Sequence, residues 1–383
     1  MKHIRMLVLI LCAGFVSVAW GEQQACTTYT PWAQFHRANM QRYNPCEKVL
    51  NVHNVGKLQL KWSYPIGGTD SSPAVEDGVV YTGSYSGILY ALKASNGALL
   101  WSYQTAASPS NVASPAIANG VVYYGSADGL VYALNASTGA KLWSYQTGAA
   151  VDSSPTVVNG TVYIGSDDGD VYALNANAGT LLWSYTTAGY VSCTPAVANG
   201  TVYAVSYDGN VYALNAGTGA KVWSSYVGGN YQEWAASPAV ANGLVYVEAG
   251  DSNNVFALNA STGAEVWTYN IGRGYMPTSS PAVAKGVVYI GSGDGSLYAL
   301  NAKTGAYLWS YDTGNIVKTS PAVANGVVYF GTNNWAFYAL NASTGAKLWS
   351  YGTSYSEVSS PAVANGVVYV GDDGGNFYAF GLK

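Results

Sequence analysis

Residues 133–145 read ALNASTGAKLWSY, and residues 339–351 repeat the same thirteen letters. Near-copies begin at Ala91, Ala173, Ala213, Ala257 and Ala299. Working outward from this phrase, a motif of the form SPAV recurs every 40 to 43 residues, with its prolines at Pro73, Pro115, Pro155, Pro195, Pro238, Pro281, Pro321 and Pro361. A fixed period of this length is typical of repeat proteins in which each unit is one supersecondary structure.

One repeat unit can be divided into four strands. Residues 154–185 read SPTVVNGTVYIGSDDGDVYALNANAGTLLWSY. Short runs rich in Val, Tyr and Ile alternate with Asn-Gly, Asp-Gly and Asn-Ala-Gly turns, which connect antiparallel strands. Four hairpin-linked strands at a period near 40 residues predict one blade of a β-propeller.

The two ends of the chain predict how the ring closes. The first LKWSY, Leu60–Tyr64, has no preceding strands of its own, and the last unit stops after Phe380 without a Trp strand. We therefore expect an all-β, eight-bladed propeller over residues 57–383, in which the N-terminal strand completes the C-terminal blade and removes the free sheet edges. The repeat tryptophans are predicted to pack between blades: Trp62, Trp101, Trp143, Trp183, Trp223, Trp267, Trp309 and Trp349.

Composition supports this fold and excludes some functions. The 383 residues are 49% hydrophobic but only 9% charged, with 45 Gly and 33 Tyr, as expected for short strands joined by tight turns. The formal net charge of −4 argues against a nucleic-acid partner, which requires a basic face. We expect a monomer.

The N-terminus predicts export. Lys2 and Arg5 precede an apolar stretch that ends at Ala19-Trp20-Gly21, which is the pattern of a signal peptide over residues 1–21. A membrane anchor or a lipoprotein signal at Cys12 are the alternatives. The mature chain is expected to lack a transmembrane segment and to be periplasmic, extracellular or on the cell surface.

The N-terminal extension, residues 22–56, contains two cysteines. Export permits a disulfide, so the sequence predicts that Cys26 pairs with Cys46. Cys193 is then unpaired and is expected to be a small buried residue. The only histidines, His3, His36 and His53, lie outside the repeats. This excludes a His-based metal site or a Ser-His-Asp triad within the blades.

The extension and the repeats carry a family resemblance. The segments WAQFHR (32–37), RYNP (42–45) and NVGKL (54–58), followed by Trp62, and the repeat tails ASTGAKLW at 136–143 and 342–349 resemble the quinoprotein alcohol dehydrogenase superfamily and its tryptophan-docking repeats. The resemblance implies an eight-bladed propeller. In the enzymes of this superfamily it also implies pyrroloquinoline quinone over the central channel, held by Ca²⁺ through Glu, Asn and Asp and covered by a disulfide between adjacent cysteines.

The enzymatic residues cannot be matched in this sequence. Cys193 stands between Ser192 and Thr194, and no Glu or Asp corresponds to the family's ligands or base. We therefore assign no catalytic, cofactor-binding or metal-binding residue, expect no cofactor, and favour the non-enzymatic branch, which includes the outer-membrane assembly propeller lipoprotein. A dehydrogenase dependent on pyrroloquinoline quinone and Ca²⁺ is the alternative.

Differences between the repeats point to a binding face. The distance from Trp to the next Pro varies between 11 and 15 residues, whereas the distance from Pro to Trp is 28 or 29. Length variation therefore falls in the loops between blades, and binding residues tend to lie on loops held by a rigid scaffold. Candidates on these loops and on one altered turn are Tyr231, Glu233, Trp234, Arg273, Tyr275, Met276 and Trp335.

Three charged residues are further candidates. Asp70, Asp152 and Lys318 each stand three residues before a repeat proline, where other blades have Val, Ser, Ala or Thr. They are expected either to line a polar funnel at the channel or simply to face water. The sequence thus predicts an exported, non-catalytic scaffold that binds a protein or glycan through its variable loops; a carbohydrate-binding adhesive surface protein and the quinoprotein enzyme are the alternatives.

Overall fold

The repeat units form eight antiparallel four-stranded sheets arranged as a closed ring. The computed structural model describes residues 32–36, 40–105, 112–228, 236–249, 252–272, 279–333, 335–353 and 357–383. The first strands of neighbouring blades contact one another in order around the whole ring, so these strands surround the central axis. The prediction of an eight-bladed all-β propeller is confirmed.

Strands are numbered along the chain, beginning with β1 (Tyr43–Asn44) and β2 (Gln59–Pro65). Blade 1 contains β3 (Ala74–Glu76), β4 (Val79–Thr82), β5 (Ile88–Lys93) and β6 (Leu99–Gln104). Blade 2 contains β7 (Ala116–Ala118), β8 (Val121–Gly125), β9 (Leu130–Asn135) and β10 (Lys141–Gln146). Blade 3 contains β11 (Thr156–Val158), β12 (Thr161–Gly165), β13 (Asp170–Asn175) and β14 (Leu181–Thr186). Blade 4 contains β15 (Ala196–Ala198), β16 (Thr201–Val205), β17 (Asn210–Asn215) and β18 (Lys221–Tyr226).

The remaining blades follow the same order. Blade 5 contains β19 (Ala239–Ala241), β20 (Leu244–Ala249), β21 (Asn254–Asn259) and β22 (Glu265–Asn270). Blade 6 contains β23 (Ala282–Ala284), β24 (Val287–Gly291), β25 (Ser296–Asn301) and β26 (Tyr307–Asp312). Blade 7 contains β27 (Ala322–Ala324), β28 (Val327–Gly331), β29 (Ala336–Asn341) and β30 (Lys347–Gly352). Blade 8 contains β31 (Ala362–Ala364), β32 (Val367–Gly371) and β33 (Asn376–Gly381). Before the first blade, Val55–Lys57 form a 3₁₀ turn.

Ring closure occurs as the chain ends predict. Strand β2 pairs antiparallel with β33, from Gln59 opposite Gly381 to Pro65 opposite Asn376. The N-terminal strand therefore becomes the outermost strand of blade 8. Within the blades, Asn159 and Gly160 both have positive φ, 49° and 77°, which is the two-residue hairpin turn that Asn-Gly favours.

The repeated phrase forms the contact between blades. Trp183 at the outer strand of blade 3 donates its indole N–H to the carbonyl of Ala216 in blade 4 at 2.9 Å. A Cβ at Gly219 would lie 2.7 Å from the ring of Trp183, so the glycine allows the turn to lie against the indole. The same indole hydrogen bond occurs at all eight junctions; its other donors are Trp62, Trp101, Trp143, Trp223, Trp267, Trp309 and Trp349.

Residues 32–36 and 40–44, here called the N-terminal segment, fill one end of the central channel. The segment makes hydrogen bonds with all eight blades in ring order, to Val75, Ile117, Val157, Thr194, Val240, Val283, Val323 and Val363. Its strand β1 pairs parallel with β27 as a fifth strand of blade 7. The segment therefore satisfies backbone groups at the inner edge of the blades, which would otherwise be left unpaired.

Two features of the extension follow from this position. His36 is fully buried, and its Nε2 lies 3.4 Å from the carbonyl oxygen of Thr194, whereas His53 is exposed. Cys46 is buried, but Cys26 lies outside the described residues, so their pairing stays a prediction. Cys193 is a buried free thiol. Among the described residues, no helix has the length and hydrophobicity needed to cross a bilayer.

Candidate functional site

The loops of the propeller are divided between two faces. Loops that link one blade to the next are hydrogen-bonded to the turns between second and third strands, as in Thr69 N–H to Asp372 O at 2.9 Å and Asp167 N–H to Ala150 O at 2.9 Å. Both loop types therefore lie on one face, which we call the loop face. The opposite face carries the uniform Asn-Gly and Asn-Ala-Ser-Thr-Gly turns.

A ring of hydroxyl groups surrounds the channel on the loop-face side. The residue before each repeat proline is Ser or Thr, namely Ser72, Ser114, Ser154, Thr194, Ser237, Ser280, Ser320 and Ser360. Backbone N–H groups of this ring donate to the hydroxyl oxygen of the next blade, for example Ser237 to Ser280 and Ser280 to Ser320, each at 2.9 Å. Six of the eight steps carry this bond. The serine of each SPAV motif thus joins two blades at the axis.

This hydroxyl ring lines a cavity of about 180 Å³ at the channel mouth. Phe35 of the N-terminal segment forms part of its wall, so the segment that fills the channel also limits the depth of the cavity. Three charged residues line it as well: Asp70, Lys318 and Glu357. Lys318 Nζ lies 2.7 Å from Glu357 Oε1, which joins the loops that precede blades 7 and 8.

Asp70 occupies an unfavourable position for a carboxylate. Its Oδ1 is buried and has no hydrogen-bond partner. Burial raises the pKa of Asp70 to about 7; the negative charge of Glu357 also raises it, while Lys318 and the backbone amides of Asp70 and Val112 oppose the shift. The Oγ of Ser72, which is 2% exposed and lines the same cavity, also has no partner. Two buried oxygen atoms at the cavity wall of blade 1 therefore lack a hydrogen-bond partner.

The sequence-predicted candidates separate into four groups. Asp70 and Lys318 lie together at the cavity, whereas Asp152 does not line it. Trp335 lies on a turn of blade 7. The other six fall outside the described residues: Tyr231, Glu233, Trp234, Arg273, Tyr275 and Met276.

Trp335 breaks the repeat at a position where backbone conformation matters. It has φ of 63°, whereas the equivalent turns of most blades place a glycine in this region, such as Gly295 with φ of 99°. Left-handed backbone costs an L-residue about 1–2 kcal/mol, so a bulky aromatic here is strained. The side chain is nonetheless 52% exposed, so burial of the indole does not offset that cost.

Sequence inspection missed three contributors to the site. Glu357 stands four residues before its repeat proline, whereas Asp70 and Lys318 stand three residues before theirs. A comparison of equivalent repeat positions therefore does not detect it. The hydroxyl ring is visible as the Ser of SPAV, but its role depends on the closed ring. The N-terminal segment bonds mainly to backbone groups, which leave no side-chain pattern.

Glu248 is a further buried carboxyl that sequence inspection missed. It is fully buried in β20 at the position where blade 6 has Gly291, and neither carboxyl oxygen has a hydrogen-bond partner. Burial holds its pKa well above the usual range, because desolvation disfavours the charged form. It lies in a core strand and is not among the residues that line the cavity.

Comparison with known proteins identifies the family. A family profile described as outer membrane protein assembly factor BamB matches residues 37–152, 146–275 and 252–383. The chain belongs to this family. The overlapping matches cover the whole propeller and begin within the N-terminal extension.

Curated relatives match shorter stretches. The dehydrogenase subunit of a quinone-type alcohol dehydrogenase from Gluconobacter oxydans is 33% identical over 111 residues, which is 26% of this chain and 14% of that protein. The quinoprotein alcohol dehydrogenase PedE from Pseudomonas putida is 48% identical over 71 residues, 17% of this chain and 11% of that protein. The chain therefore spans only a small part of the length of the curated relatives that it matches.

Solved structures share the fold at low sequence identity. BamB from Moraxella catarrhalis superposes with a TM-score of 0.71 and 22% identity, covering 85% of this chain and all of that one. The quinohemoprotein alcohol dehydrogenase from Comamonas testosteroni gives a TM-score of 0.77 and 17% identity, covering 92% of this chain and 80% of that one. These similarities establish a PQQ-like propeller fold.

The described part of the site does not fit the quinone and Ca²⁺ of the family's enzymes. No group of three or more His, Cys, Asp or Glu among the described residues could hold a metal ion. A quinone with three carboxylates would meet Asp70 and Glu357 at the cavity, where the one lysine is already paired with Glu357. No reaction step through the quinone follows from these residues, and the expectation of no cofactor stays a prediction.

Proposed function

We propose that the chain is an exported, non-catalytic propeller scaffold that binds a protein partner through its loop face. The observation that carries this proposal is Trp335, a strained and half-exposed aromatic on that face. Backbone strain persists where the surrounding structure enforces it, and it is concentrated at functional positions. Exposed tryptophans are enriched among the residues that dominate binding energy at protein interfaces.

The family indicates what kind of partner this is. Its description as an outer membrane protein assembly factor supports a protein partner in the assembly of outer membrane proteins, and hence a periplasmic location after export. A glycan is the alternative ligand for an exposed indole, because aromatic rings stack on sugars.

A site-specific cross-linking experiment tests the proposal. A photo-reactive residue at position 335 should give one discrete protein adduct in the native cell envelope, and mass spectrometry should identify an assembly protein. The matched control is the same residue at Lys303, which is exposed on a turn of the opposite face and should give no such adduct. Equal adducts at both positions, or none at position 335, would show that the loop face is not the interface.

A second variant separates binding from folding. Trp335→Gly restores the residue that most blades use and should increase stability by about 1 kcal/mol while it removes partner binding. A glycan array with the parent protein and this variant distinguishes a sugar ligand from a protein partner. Retention of pyrroloquinoline quinone after incubation with Ca²⁺ and dialysis, together with alcohol-dependent dye reduction, would instead establish the enzyme.

A further inference from the structure

Charge is distributed unequally between the two faces of the propeller. Among the described residues, Lys318 is the one lysine on the loop face, and it is paired with Glu357. The acids show the reverse distribution. Described Asp and Glu residues all stand in loops, turns or strand ends of the loop face, with five exceptions: Glu47, Glu76, Asp77 and Glu265 at the opposite face and Glu248 in the core. The loop face is therefore strongly negative, although the whole chain has a formal net charge of only −4.

The acids at the channel mouth lie close together where blades 8 and 1 meet. Asp70 and Glu357 both line the cavity, and Asp373 accepts the backbone N–H of Glu357 at 3.1 Å. Burial raises the pKa of the Tyr85 hydroxyl, and the negative charges of Asp70, Glu357 and Asp373 raise it further. Three carboxylates therefore surround one tyrosine at this side of the mouth.

The acids continue over blades 2 and 3. Burial raises the pKa of Tyr124 in blade 2, and the charges of Asp70 and Asp152 on either side of it add to the rise. Burial also raises the pKa of Tyr207 in blade 4 to about 12, with contributions from Asp167 and Asp152. Neighbouring acids thus act on shared tyrosines from blade 8 to blade 4. We call this set the acidic arc: Asp70, Asp152, Asp167, Glu357 and Asp373.

Two buried oxygen atoms in the cavity beside the acidic arc lack hydrogen-bond partners. They are Asp70 Oδ1 and the Oγ of Ser72, which is 2% exposed. A buried polar atom without a partner costs free energy unless a water or ligand satisfies it. An ionised carboxylate can only accept hydrogen bonds, so the group that Asp70 lacks is a donor, and a cationic donor makes the stronger bond. The cavity of about 180 Å³ has room for the end of one long side chain.

An exposed aromatic pair stands at the blade 4 end of the acidic arc. Tyr190 is 56% exposed, and its ring centroid lies 5.9 Å from that of Tyr207. The backbone N–H of Tyr207 donates to the carbonyl of Tyr190 at 2.9 Å, which joins their two loops. Ser192, two residues after Tyr190, donates to Asp167 at 2.8 Å. Because cations bind favourably over aromatic rings, this end of the arc also suits a basic side chain.

We propose that the acidic arc binds an extended basic segment of the protein partner, with one lysine side chain in the cavity against Asp70 and others along the arc towards Tyr190. This inference rests on the proposed binding of a protein through the loop face, and it specifies the chemistry of that protein. Complementary charge favours such a segment over a neutral or acidic one and accelerates its association.

Fluorescence anisotropy with synthetic peptides tests the proposal on the purified protein. The probe is a labelled octapeptide of alternating lysine and serine, because alternate side chains of an extended segment point to the same side. The matched peptides carry glutamine or glutamate in place of lysine. The lysine peptide should bind saturably, and the other two at least about tenfold more weakly or not at all. Its affinity should also fall at least about tenfold between about 0.05 M and 0.5 M NaCl, because salt screens exposed charges.

Two double variants locate the site. Asp70→Asn with Asp152→Asn should weaken binding of the lysine peptide about tenfold, because two charges of the acidic arc are lost. The control, Asp77→Asn with Glu265→Gln, removes the same number of charges from the opposite face and should bind as the parent does. Thermal unfolding without peptide verifies that both variants fold. If the first does not, the comparison of peptides on the parent protein decides the matter.

The outcomes separate this proposal from the function on which it rests. Equal binding of the lysine and glutamine peptides, or equal weakening by the two double variants, would overturn the proposal. So would a cross-link at position 335 that forms as well in the acidic-arc variant as in the parent, a result that leaves protein binding by the loop face in place. Absence of that cross-link from the parent would instead overturn the proposed function, and with it the assignment of the arc to a protein partner.

Discussion

Replacing Arg42 is expected to damage the channel more than replacing any exposed cation. The guanidinium is fully buried and donates four hydrogen bonds, all to backbone carbonyls. The acceptors are Phe35 at 2.7 Å, Pro321 and Pro361 at 2.9 Å each, and Ser320 at 3.2 Å. Arg42 therefore ties the N-terminal segment to blades 7 and 8.

The size of the effect follows from these contacts. A hydrogen bond to a charged group contributes about 1.5–3 kcal/mol, but Arg42→Ala also removes the desolvation cost of the buried charge, which already lowers its pKa to about 9. Carbonyl oxygens tolerate loss of one partner better than amides do. The guanidinium carbon also lies 4.4 Å from the centre of the Phe35 ring. We expect a net loss of about 3 kcal/mol in the free energy of unfolding.

Urea denaturation followed by tryptophan fluorescence measures this loss. Arg42→Lys should recover only part of it, because a compact ammonium with three donors cannot reach four carbonyls fixed around a planar fork. Lys303→Ala, an exposed control, should stay within about 0.5 kcal/mol of the parent. Hydrogen exchange should accelerate in Arg42→Ala at the amides of Val283 and Val323, which bond to the segment. A loss below about 1 kcal/mol with unchanged exchange would refute the reasoning.

Three further predictions concern packing, the blade junctions and pH. Gly125→Ala should lose about 1–3 kcal/mol of stability by urea denaturation, because its Cβ would lie 2.7 Å from the carbonyl of Ser153, whereas Gly217→Ala, with its nearest neighbour at 3.5 Å, should be nearly neutral. Trp183→Phe removes the indole hydrogen bond to Ala216 and should lower the free energy of unfolding by about 1–2 kcal/mol in the same assay. Equal stability of variant and parent would contradict the role of this tryptophan in holding the blades together. Because the pKa of Asp70 is raised to about 7 from 3.8, the folded state binds its proton more tightly, so the stability of the parent should fall as pH rises from about 4 to about 7. Urea titrations at pH 5 and pH 8 should show that Asp70→Asn lacks this part of the pH dependence of stability. If the two proteins lose the same stability between these pH values, Asp70 is not its source.

The fold could be predicted because the residues that specify the strands and turns of a blade lie within its own repeat. Asn159 and Gly160 specify a turn locally, and their backbone angles follow from residue type alone. Closure of the ring was also visible, since a strand without a blade at Leu60 and a blade without a last strand at Phe380 complement each other. The turn follows from local residue preferences and the ring closure from the number of strands in each repeat, and both can be read directly from the sequence.

The site was less accessible from sequence for a physical reason. Asp70 and Lys318 stand out because they replace uncharged residues in a repeat, but Glu357 lies at a different spacing and meets Lys318 only through the ring. The course of the N-terminal segment was not predictable, because its partners are backbone groups of strands that look alike, such as Val240 and Val283. Side-chain patterns do not record which backbone edge is covered.

Positions at which the chain departs from its repeat can be interpreted once the role of the repeated residues is known. The eight indole contacts stabilise the ring without help from the loop face, so that face can hold residues that are unfavourable for folding. Trp335 takes a backbone conformation suited to glycine, and Asp70 holds a buried oxygen without a donor. Each costs stability in the isolated chain, and each would be relieved or used by a bound molecule. A substitution that restores the repeat residue at position 335 or 70 should therefore raise the free energy of unfolding above neutral pH and weaken binding. Substitutions at Trp183 or Gly125 should instead lower the free energy of unfolding.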